Sequence, residues 1–347
     1  MEFLSEYGLF LAESVTIVIA ILLVVGFMVA IGQRHRGPEE GHLEIRKLND
    51  RYEGYHEAMH HAVLNEGDFK KEQKEEKKRH KREAKERKKG TVDATDRLRL
   101  YVLNFDGDMK ASATDNLREE ISAVLGVARS GDEVLIRLES GGGMVHSYGF
   151  AASQLQRIRD AGIQLTVSVD KVAASGGYMM ACVGNRILAA PFAIIGSIGV
   201  LAQIPNFHRL LRKANVDFEQ LTAGEYKRTL TMFGENTDAD REKMQEDIDD
   251  THLLFKDFVA EHRSQVEIDS VATGEVWYGQ RAIEKGLVDE LQTSDGFVQA
   301  CLPERDVFEV KHVLKKHWQE KLGLAAEGAV NRAVTRLWQA ATQRRQL

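Results

Sequence analysis

Along the central part of the chain, short segments with a strand-like hydrophobic pattern alternate with segments whose apolar residues have helical spacing. Short β-rich runs at Leu98–Phe105, Glu133–Leu138 and Gln164–Val169 predict strands. Between them, Asn116–Ala128 and Gly149–Ala161 have the apolar spacing of helices that bury one face. Strands that alternate with helices of this length predict an α/β fold with a parallel sheet and crossover helices.

A longer apolar stretch follows these elements. Residues Ile187–Ile204 contain no charged side chain, but Pro191, Gly196 and Ser197 interrupt the run. Buried parallel strands give continuous apolar runs, so we predict two short buried strands that break at Gly196. The alternative is a segment that spans a membrane.

The N-terminal region contains a second uncharged stretch, Ser14–Gln33, which is long enough as a helix to cross about 30 Å of hydrocarbon. A cleaved signal peptide would need a positive segment before its apolar core. Residues 1–13 instead carry Glu2, Glu6 and Glu13 and no Lys or Arg. We therefore predict a transmembrane helix that stays attached to the chain.

The charges that flank this helix predict its orientation. Arg34 and Arg36 follow it directly, and no positive residue precedes it. The positive-inside rule then places the body of a single-pass protein in the cytoplasm. The alternative is a body on the periplasmic side, because long domains translocate regardless of charge.

A basic segment follows the predicted helix. Residues Phe69–Lys89 contain twelve Lys or Arg and five Glu, without an apolar stripe. This pattern favours a solvated helical stalk, with attraction to anionic lipid headgroups as the alternative. No aromatic side chains that stack on bases are interleaved, so we predict no nucleic-acid partner. The predicted organisation is a tail at 1–13, the membrane helix at 14–33, a charged stalk at 34–96, a catalytic domain at 97–300 and a helical tail at 301–347.

Composition excludes several kinds of site. The chain has 347 residues and only two cysteines, Cys182 and Cys301, in unrelated contexts, which supports neither a disulfide framework nor a zinc cluster. Neither a GxGxxG fingerprint that opens a helix nor a Walker phosphate loop is present. Nucleotide-dependent chemistry is therefore not predicted.

One serine stands at a predicted strand-to-helix turn. In VDKVAASGGYMMACVG, Ser175 precedes two glycines and an apolar segment that begins a buried helix. Such a turn displays a nucleophilic hydroxyl next to the free N–H groups of a helix start, which can stabilise an oxyanion. The alternative is a serine that caps the helix. A second glycine run, in Arg137–Gly143 (RLESGGG), is either a simple turn or the source of another oxyanion donor.

The base that would activate this serine is less evident from the sequence. His146 and His208 have no carboxylate partner in a motif, and surface roles are their default. Lys227 lies in a segment rich in Gly, Tyr and Thr, unlike an ordinary charged surface, and Lys171 lies four residues before Ser175. A lysine acts as a base only in its neutral form, and an ordinary salt bridge is the alternative role for Lys227. Lys171 is the rival candidate for the base.

Four ordered motifs across nearly the whole chain resemble the signal peptide peptidase A family of serine peptidases. They are AASGGYMMA (173–181), IGSIGV (195–200), GEYKRTLTMFGENT (224–237) and YGQRAIEKGLVDEL (278–291). The resemblance implies a ClpP/crotonase-like fold of repeated β-β-α units in a bacterial inner-membrane protein. It also implies a Ser/Lys dyad that needs no histidine and no metal or organic cofactor.

The resemblance assigns roles to individual residues. Ser175 matches the nucleophile, Lys227 the general base, and Ser197 a serine that orients the lysine. The amides of Gly176 and Gly143 match the two oxyanion donors. The chain departs from the family at residue 141, where glycine replaces the usual proline and leaves the backbone less restricted.

The implied activity is hydrolysis of peptide bonds through an acyl-enzyme, on signal-peptide remnants or other membrane-associated polypeptides. Longer relatives contain two copies of the fold and share the dyad between them, whereas this chain has one. We therefore expect a homo-oligomer whose protomers share the active site. The alternatives are an acyl-CoA enzyme of the same fold, which would use a carboxylate acid/base, and a non-catalytic membrane scaffold that binds partners through its stalk and C-terminal tail.

Overall fold

A computed structural model describes residues 41–64 and 97–314, together with the single residues Thr16 and Lys78. The predicted membrane helix apart from Thr16, most of the predicted stalk and residues 315–347 lie outside the described part. Among the described residues, no helix combines the length and the apolar character needed to cross a bilayer.

Strands and helices alternate along most of the described chain. The strands are β1 (Gly41–Lys47), β2 (Arg99–Gly107), β3 (Glu133–Ser140), β4 (Gln164–Val169), β5 (Val172–Ala174), β6 (Arg186–Ala189), β7 (Ile194–Gly196), β8 (Val276–Tyr278), β9 (Glu290–Leu291) and β10 (Asp306–Leu314). The helices are α1 (Leu48–Val63), α2 (Thr114–Leu125), α3 (Val145–Asp160), α4 (Gly176–Ala181), α5 (His208–Lys213), α6 (Asp238–His262), α7 (Ile268–Val271), α8 (Gly279–Ala282) and α9 (Ser294–Cys301).

The strands form one branched sheet. Its main path runs β1-β10-β2-β3-β4-β6-β9, and a branch leaves β3 through β5 and β7 to β8. The pairs from β10 to β9 along the main path are parallel, as are β3–β5 and β5–β7, while β7–β8 is antiparallel. Strands β2, β3 and β4 are almost continuously buried, because a parallel sheet is covered on both faces.

The predicted α/β class with a parallel sheet is confirmed. β4, β5 and α4 follow one another as a β-β-α unit, and the crossover helices α2 and α3 pack with the sheet around the larger core. Helix α4 is buried along its whole length, which agrees with the apolar segment after Ser175.

The prediction for residues 187–204 is correct about two strands and wrong about where they break. The chain leaves β6 at residues 190–193, around Pro191, and Gly196 ends β7 instead of separating two strands. Proline has no N–H to donate to the ladder, and Gly196 has φ +108°, a left-handed conformation that favours glycine. No strand follows between residues 197 and 204, where Leu201 is exposed.

The sheet extends beyond the predicted domain on the N-terminal side. Residues 41–63, assigned to the charged stalk, instead form strand β1 and helix α1. Leu48 is buried with Leu100 and Val102, and the Asn49 side chain accepts from the Val307 N–H at 2.8 Å. An edge strand tolerates charged residues because one side of it faces solvent, and this hides its pattern in the sequence.

The sheet also extends beyond residue 300. The tail was predicted to be helical from residue 301, but Asp306–Leu314 forms β10 between β1 and β2. The register pairs Val307 with Leu100. The predicted boundaries at 97 and 300 therefore cut through the sheet on both sides, and the compact unit that carries the site spans Leu43–His312.

Candidate active site

Three neighbouring strands end at the same place. In the branch of the sheet, Ser140 of β3 is paired with Ala173 of β5, and Ala174 of β5 with Gly196 of β7. Because these pairs are parallel, the residues that follow each strand come together at one edge. At this edge lie the glycine run after β3, Ser175 after β5 and Ser197 after β7.

Ser175 occupies a strained turn between β5 and α4. Its φ of 53° and ψ of −121° are rare for a residue with a side chain, and strain of this kind recurs at nucleophiles displayed between a strand and a helix. The Ser175 N–H donates to the Gly196 carbonyl at 2.8 Å, which holds the turn against β7. Although Ser175 precedes the helix, its side chain makes no capping hydrogen bond. The hydroxyl is thus available to the adjoining cleft.

The glycine run passes directly beside Ser175. A Cβ atom built on Gly142 would lie 2.7 Å from the Gly176 nitrogen and 2.8 Å from Ser175 Cβ. A Cβ on Gly143 would lie 2.2 Å from the Met109 carbonyl oxygen. Neither the Gly143 amide nor the Gly176 amide donates a hydrogen bond to another group in residues 41–64 and 97–314. Two free N–H groups beside one hydroxyl are the arrangement that an oxyanion hole requires.

A small cleft opens at this point. Its lining includes Gly143, Ser175 and Gly176. The other lining residues are apolar side chains and one further glycine: Val145, Met179, Gly199, Val200 and Phe255. Among the described residues that line the cleft, none carries a carboxylate. Among the described residues, no cluster of three or more His, Cys, Asp or Glu is placed to hold a metal ion.

The contacts of the glycine run predict a sharp contrast between two alanine substitutions. Gly143→Ala forces its methyl group into the Met109 carbonyl, so the loop must move, and we expect kcat to fall about 10²-fold. A Cβ at Gly141 meets nothing within 4 Å, so Gly141→Ala should retain nearly full activity. Steady-state kinetics of both variants on a peptide substrate would check this. Equal losses in the two variants would contradict the assignment of Gly143.

Ser197 lies next to Ser175 across the β5–β7 pair. Its φ is 52°, and its N–H donates to the Glu275 carbonyl at 2.6 Å. The structure therefore brings together four of the five predicted site residues: Ser175, Ser197, Gly143 and Gly176.

The rival bases are not placed for catalysis. Lys171 forms an exposed ion pair with Glu139, at 2.8 Å between Nζ and Oε2. The hydrogen bond to this carboxylate raises the pKa of the Lys171 ammonium, which keeps it protonated. His146 is exposed at the start of α3 and does not line the cleft.

Lys227 is not brought to Ser175 within the described chain. It is exposed and is not among the residues that line the cleft. It lies on residues 201–236, here called the arm, whose only regular element is the short helix α5. The arm folds on itself: Phe207 N–H donates to the Met232 carbonyl at 2.6 Å, and the Phe207 and Phe233 rings stack at 6.1 Å.

The arm also exposes large apolar side chains. Leu221 is 96% exposed and Leu201 76%, and the other exposed members include Leu210 and Tyr226. Apolar groups collected on one exposed segment are typical of an interaction surface rather than of free surface.

A residue that the sequence analysis did not single out packs beneath this site. Tyr148 of α3 is fully buried, and a Cβ on Gly176 would lie 2.4 Å from its ring. Its hydroxyl contacts Ser140 and the Asp108 carbonyl. Tyr148 follows the glycine run by five residues, but helical spacing alone only indicates a core position.

Comparisons with known proteins identify the family. Residues 2–155 match the family described as Peptidase family S49 N-terminal, and residues 157–307 match Peptidase family S49. A Haemophilus influenzae protein described as Probable protease SohB is 52% identical over 336 residues, which cover 95% of each chain. This chain belongs to peptidase family S49.

Two further similarities accompany this match. Another S49 relative, a Probable protease SohB from Buchnera aphidicola subsp. Schlechtendalia chinensis, is 47% identical over 307 residues, or 86% of this chain and 99% of its own. A solved structure of a membrane-bound stomatin-specific protease with a substrate peptide aligns at a TM-score of 0.40 with 14% identity, over 65% of this chain and 96% of its own.

Family membership confirms the resemblance carried by the four sequence motifs. This protein is a serine peptidase, and its substrates are peptides or proteins.

Proposed function

We propose that this peptidase hydrolyses peptide bonds with a dyad of Ser175 and Lys227. The observation that carries the proposal is the meeting of Ser175 with two free glycine amides at the ends of β3 and β5. Neutral Lys227 takes the Ser175 proton as the oxygen attacks the peptide carbonyl carbon, and the carbonyl π electrons move onto oxygen. The Gly143 and Gly176 amides stabilise this oxyanion.

The acyl-enzyme then forms and breaks down by the same groups. The tetrahedral intermediate collapses, and protonated Lys227 returns its proton to the leaving amine. Water attacks the Ser175 ester, giving up a proton to Lys227, and the carboxylic acid leaves as Ser175 is reprotonated. Ser197 stands beside Ser175 and would orient the lysine amine. No metal or organic cofactor takes part in these steps.

Lys227 would come from a neighbouring copy of the chain. Within the described chain, Lys227 lies outside the cleft that Ser175 lines, on the exposed apolar arm. An arm that docks on the next subunit would bury Leu201 and Leu221. It would also place Lys227 beside the Ser175 of that subunit. A head-to-tail arrangement of this kind closes into a ring when its rotation allows.

The proposed substrates are signal-peptide remnants or other membrane-associated polypeptides. The apolar side chains that line the cleft suit an apolar residue beside the scissile bond. Anchoring by the uncharged segment Ser14–Gln33 would hold the peptidase at the bilayer where such polypeptides lie. Arg34 and Arg36 favour a cytoplasmic position for the catalytic unit.

A fluorophosphonate probe tests this function, because it reacts with an activated serine and not with an acyl-CoA enzyme that uses a carboxylate. We expect the probe to label the wild-type protein and not Ser175→Ala. Labelling that persists in Ser175→Ala, or none in a wild-type sample that hydrolyses peptide, would overturn the assignment of the nucleophile.

The labelled band also reports the location of the protein. It should stay with the membranes after a carbonate wash, and protease added to intact spheroplasts should leave it undigested. Release by carbonate would contradict the anchor, and digestion from outside would place the catalytic unit in the periplasm.

A further inference from the structure

The two oxyanion donors are held by groups that the dyad mechanism does not use. Gly143 lies in the glycine run after β3 and Gly176 is the first residue of α4, and both segments are connected to one buried side chain of α3. Tyr148 is 0% exposed, and its ring contacts Gly176 from the core side, where a Cβ on that glycine would lie 2.4 Å from ring carbon Cγ. No residue other than glycine fits between the ring and the helix start.

The Tyr148 hydroxyl belongs to a series of three hydrogen bonds that runs from the Asp108 carbonyl to the glycine run. It donates to the Asp108 carbonyl at 2.7 Å and lies 2.6 Å from Ser140 Oγ. A phenol has one hydrogen, so the Ser140 hydroxyl must donate to the Tyr148 oxygen. Ser140 Oγ in turn accepts from the Gly142 N–H at 3.0 Å. Every donor in this series of hydrogen bonds has one defined acceptor.

The Asp108 end of this series of hydrogen bonds also leads to Gly143, from the opposite side. Met109 follows Asp108, and its carbonyl accepts from the Met144 N–H at 2.9 Å. The same carbonyl is the atom against which Gly143 packs. The backbone on both sides of Gly143 is thus fixed by groups connected to the Tyr148 hydroxyl.

A glycine of the neighbouring strand packs closely against this hydroxyl. Gly107 of β2 is paired with Ser140 of β3, and a Cβ on Gly107 would lie 2.5 Å from both Ser140 Oγ and the Tyr148 hydroxyl oxygen. The glycine at 107 is therefore needed for the two hydroxyls to meet. Burial raises the pKa of the Tyr148 phenol, which remains a neutral donor.

We propose that Tyr148 is a positioning residue that aligns both oxyanion donors, Gly143 through its hydroxyl and Gly176 through its ring. This inference rests on the oxyanion roles given under the proposed function. Tyr148 does not touch the substrate; it acts on the transition state only by fixing the two amides.

The test compares two buried tyrosines. Tyr148→Phe removes the hydroxyl and keeps the ring. Tyr178→Phe removes an equally buried hydroxyl, which donates to the Leu287 carbonyl at 3.0 Å and does not touch the glycine loop. For Tyr148→Phe we expect kcat to fall about 10- to 100-fold with KM unchanged, because misplaced donors weaken only the transition state. Each variant should lower the melting temperature by a few degrees. Tyr178→Phe should keep the wild-type kcat.

A peptide aldehyde supplies a readout that loss of stability alone would not move. Its tetrahedral adduct with Ser175 carries an oxyanion, so its inhibition constant should rise in Tyr148→Phe by the same factor by which kcat/KM falls. Gly107→Ala, which displaces the hydroxyl pair from the other side, should reproduce this pattern. Ser140→Ala combined with Tyr148→Phe should cost no more than the larger single loss, because both break one chain of hydrogen bonds.

Two outcomes separate this inference from the proposed function. If Ser175→Ala still hydrolyses peptide, the proposed function fails before Tyr148 is considered. If Ser175→Ala is inactive but Tyr148→Phe matches Tyr178→Phe in kcat and aldehyde inhibition, the positioning role of Tyr148 is wrong and the mechanism stands.

Discussion

Ser175→Ala and Lys227→Ala should each lower peptide hydrolysis by about 10³-fold or more, because a nucleophile and its base act as one unit. Ser175→Ala removes the attacking oxygen. Lys227→Ala leaves the hydroxyl in its strained turn but without a group to accept its proton. Steady-state rates on a fluorogenic peptide would measure both losses.

Lys171→Ala is the matched control for the lysine. It removes an exposed ammonium only four residues from Ser175, but one that is paired with Glu139 and off the cleft, so we expect nearly full activity. Lys227 is also exposed, so neither substitution should disturb the core. Normal turnover by Lys227→Ala, or a loss in Lys171→Ala as large as that in Ser175→Ala, would refute the base assignment.

Mixed assemblies should recover activity from two inactive chains. When Ser175→Ala and Lys227→Ala are co-expressed at 1:1 and assemble at random, about a quarter of head-to-tail interfaces join an intact serine to an intact lysine. We therefore expect about a quarter of wild-type activity, from chains that separately have almost none. Purification through two different affinity tags, one on each variant, would confirm that the assemblies are mixed.

A second mixture distinguishes sharing from catalysis within one chain. Wild type co-assembled 1:1 with the double variant Ser175→Ala/Lys227→Ala leaves about a quarter of sites intact if the dyad is shared. The same mixture leaves about half of them intact if each chain uses its own lysine. No recovery in the first mixture together with half activity in the second would show that both groups act within one protomer.

The sharing hypothesis gives a physical reason for the form of the arm. An isolated chain that exposes Leu221 almost completely leaves apolar area in contact with water, at a cost of roughly 25 cal/mol for each Å². Docking on a neighbour would recover that cost and place Lys227 at the same time. The arm would then link assembly to activity, since an unassembled chain lacks a base.

Much of this protein followed from local sequence patterns. Short β-rich runs predicted β2, β3 and β4, and the intervening amphipathic segments predicted α2 and α3, because each pattern depends on residues close in sequence. The position of Ser175 between a strand and a buried helix was predicted in the same way. The four family motifs were sufficient to indicate an S49 peptidase.

The tertiary structure alone decided which groups meet. Only the pairing of β3, β5 and β7 shows that Gly143, Ser175 and Ser197 share one edge, since the register joins residues more than 20 positions apart. Strands β1 and β10 were missed because both carry mixed polar and apolar patterns, and their pairing depends on distant partners. Tyr148 has the helical spacing of any core residue. Its position beneath both oxyanion donors follows from the close packing of α3 against β2, β3 and α4, which no local period encodes.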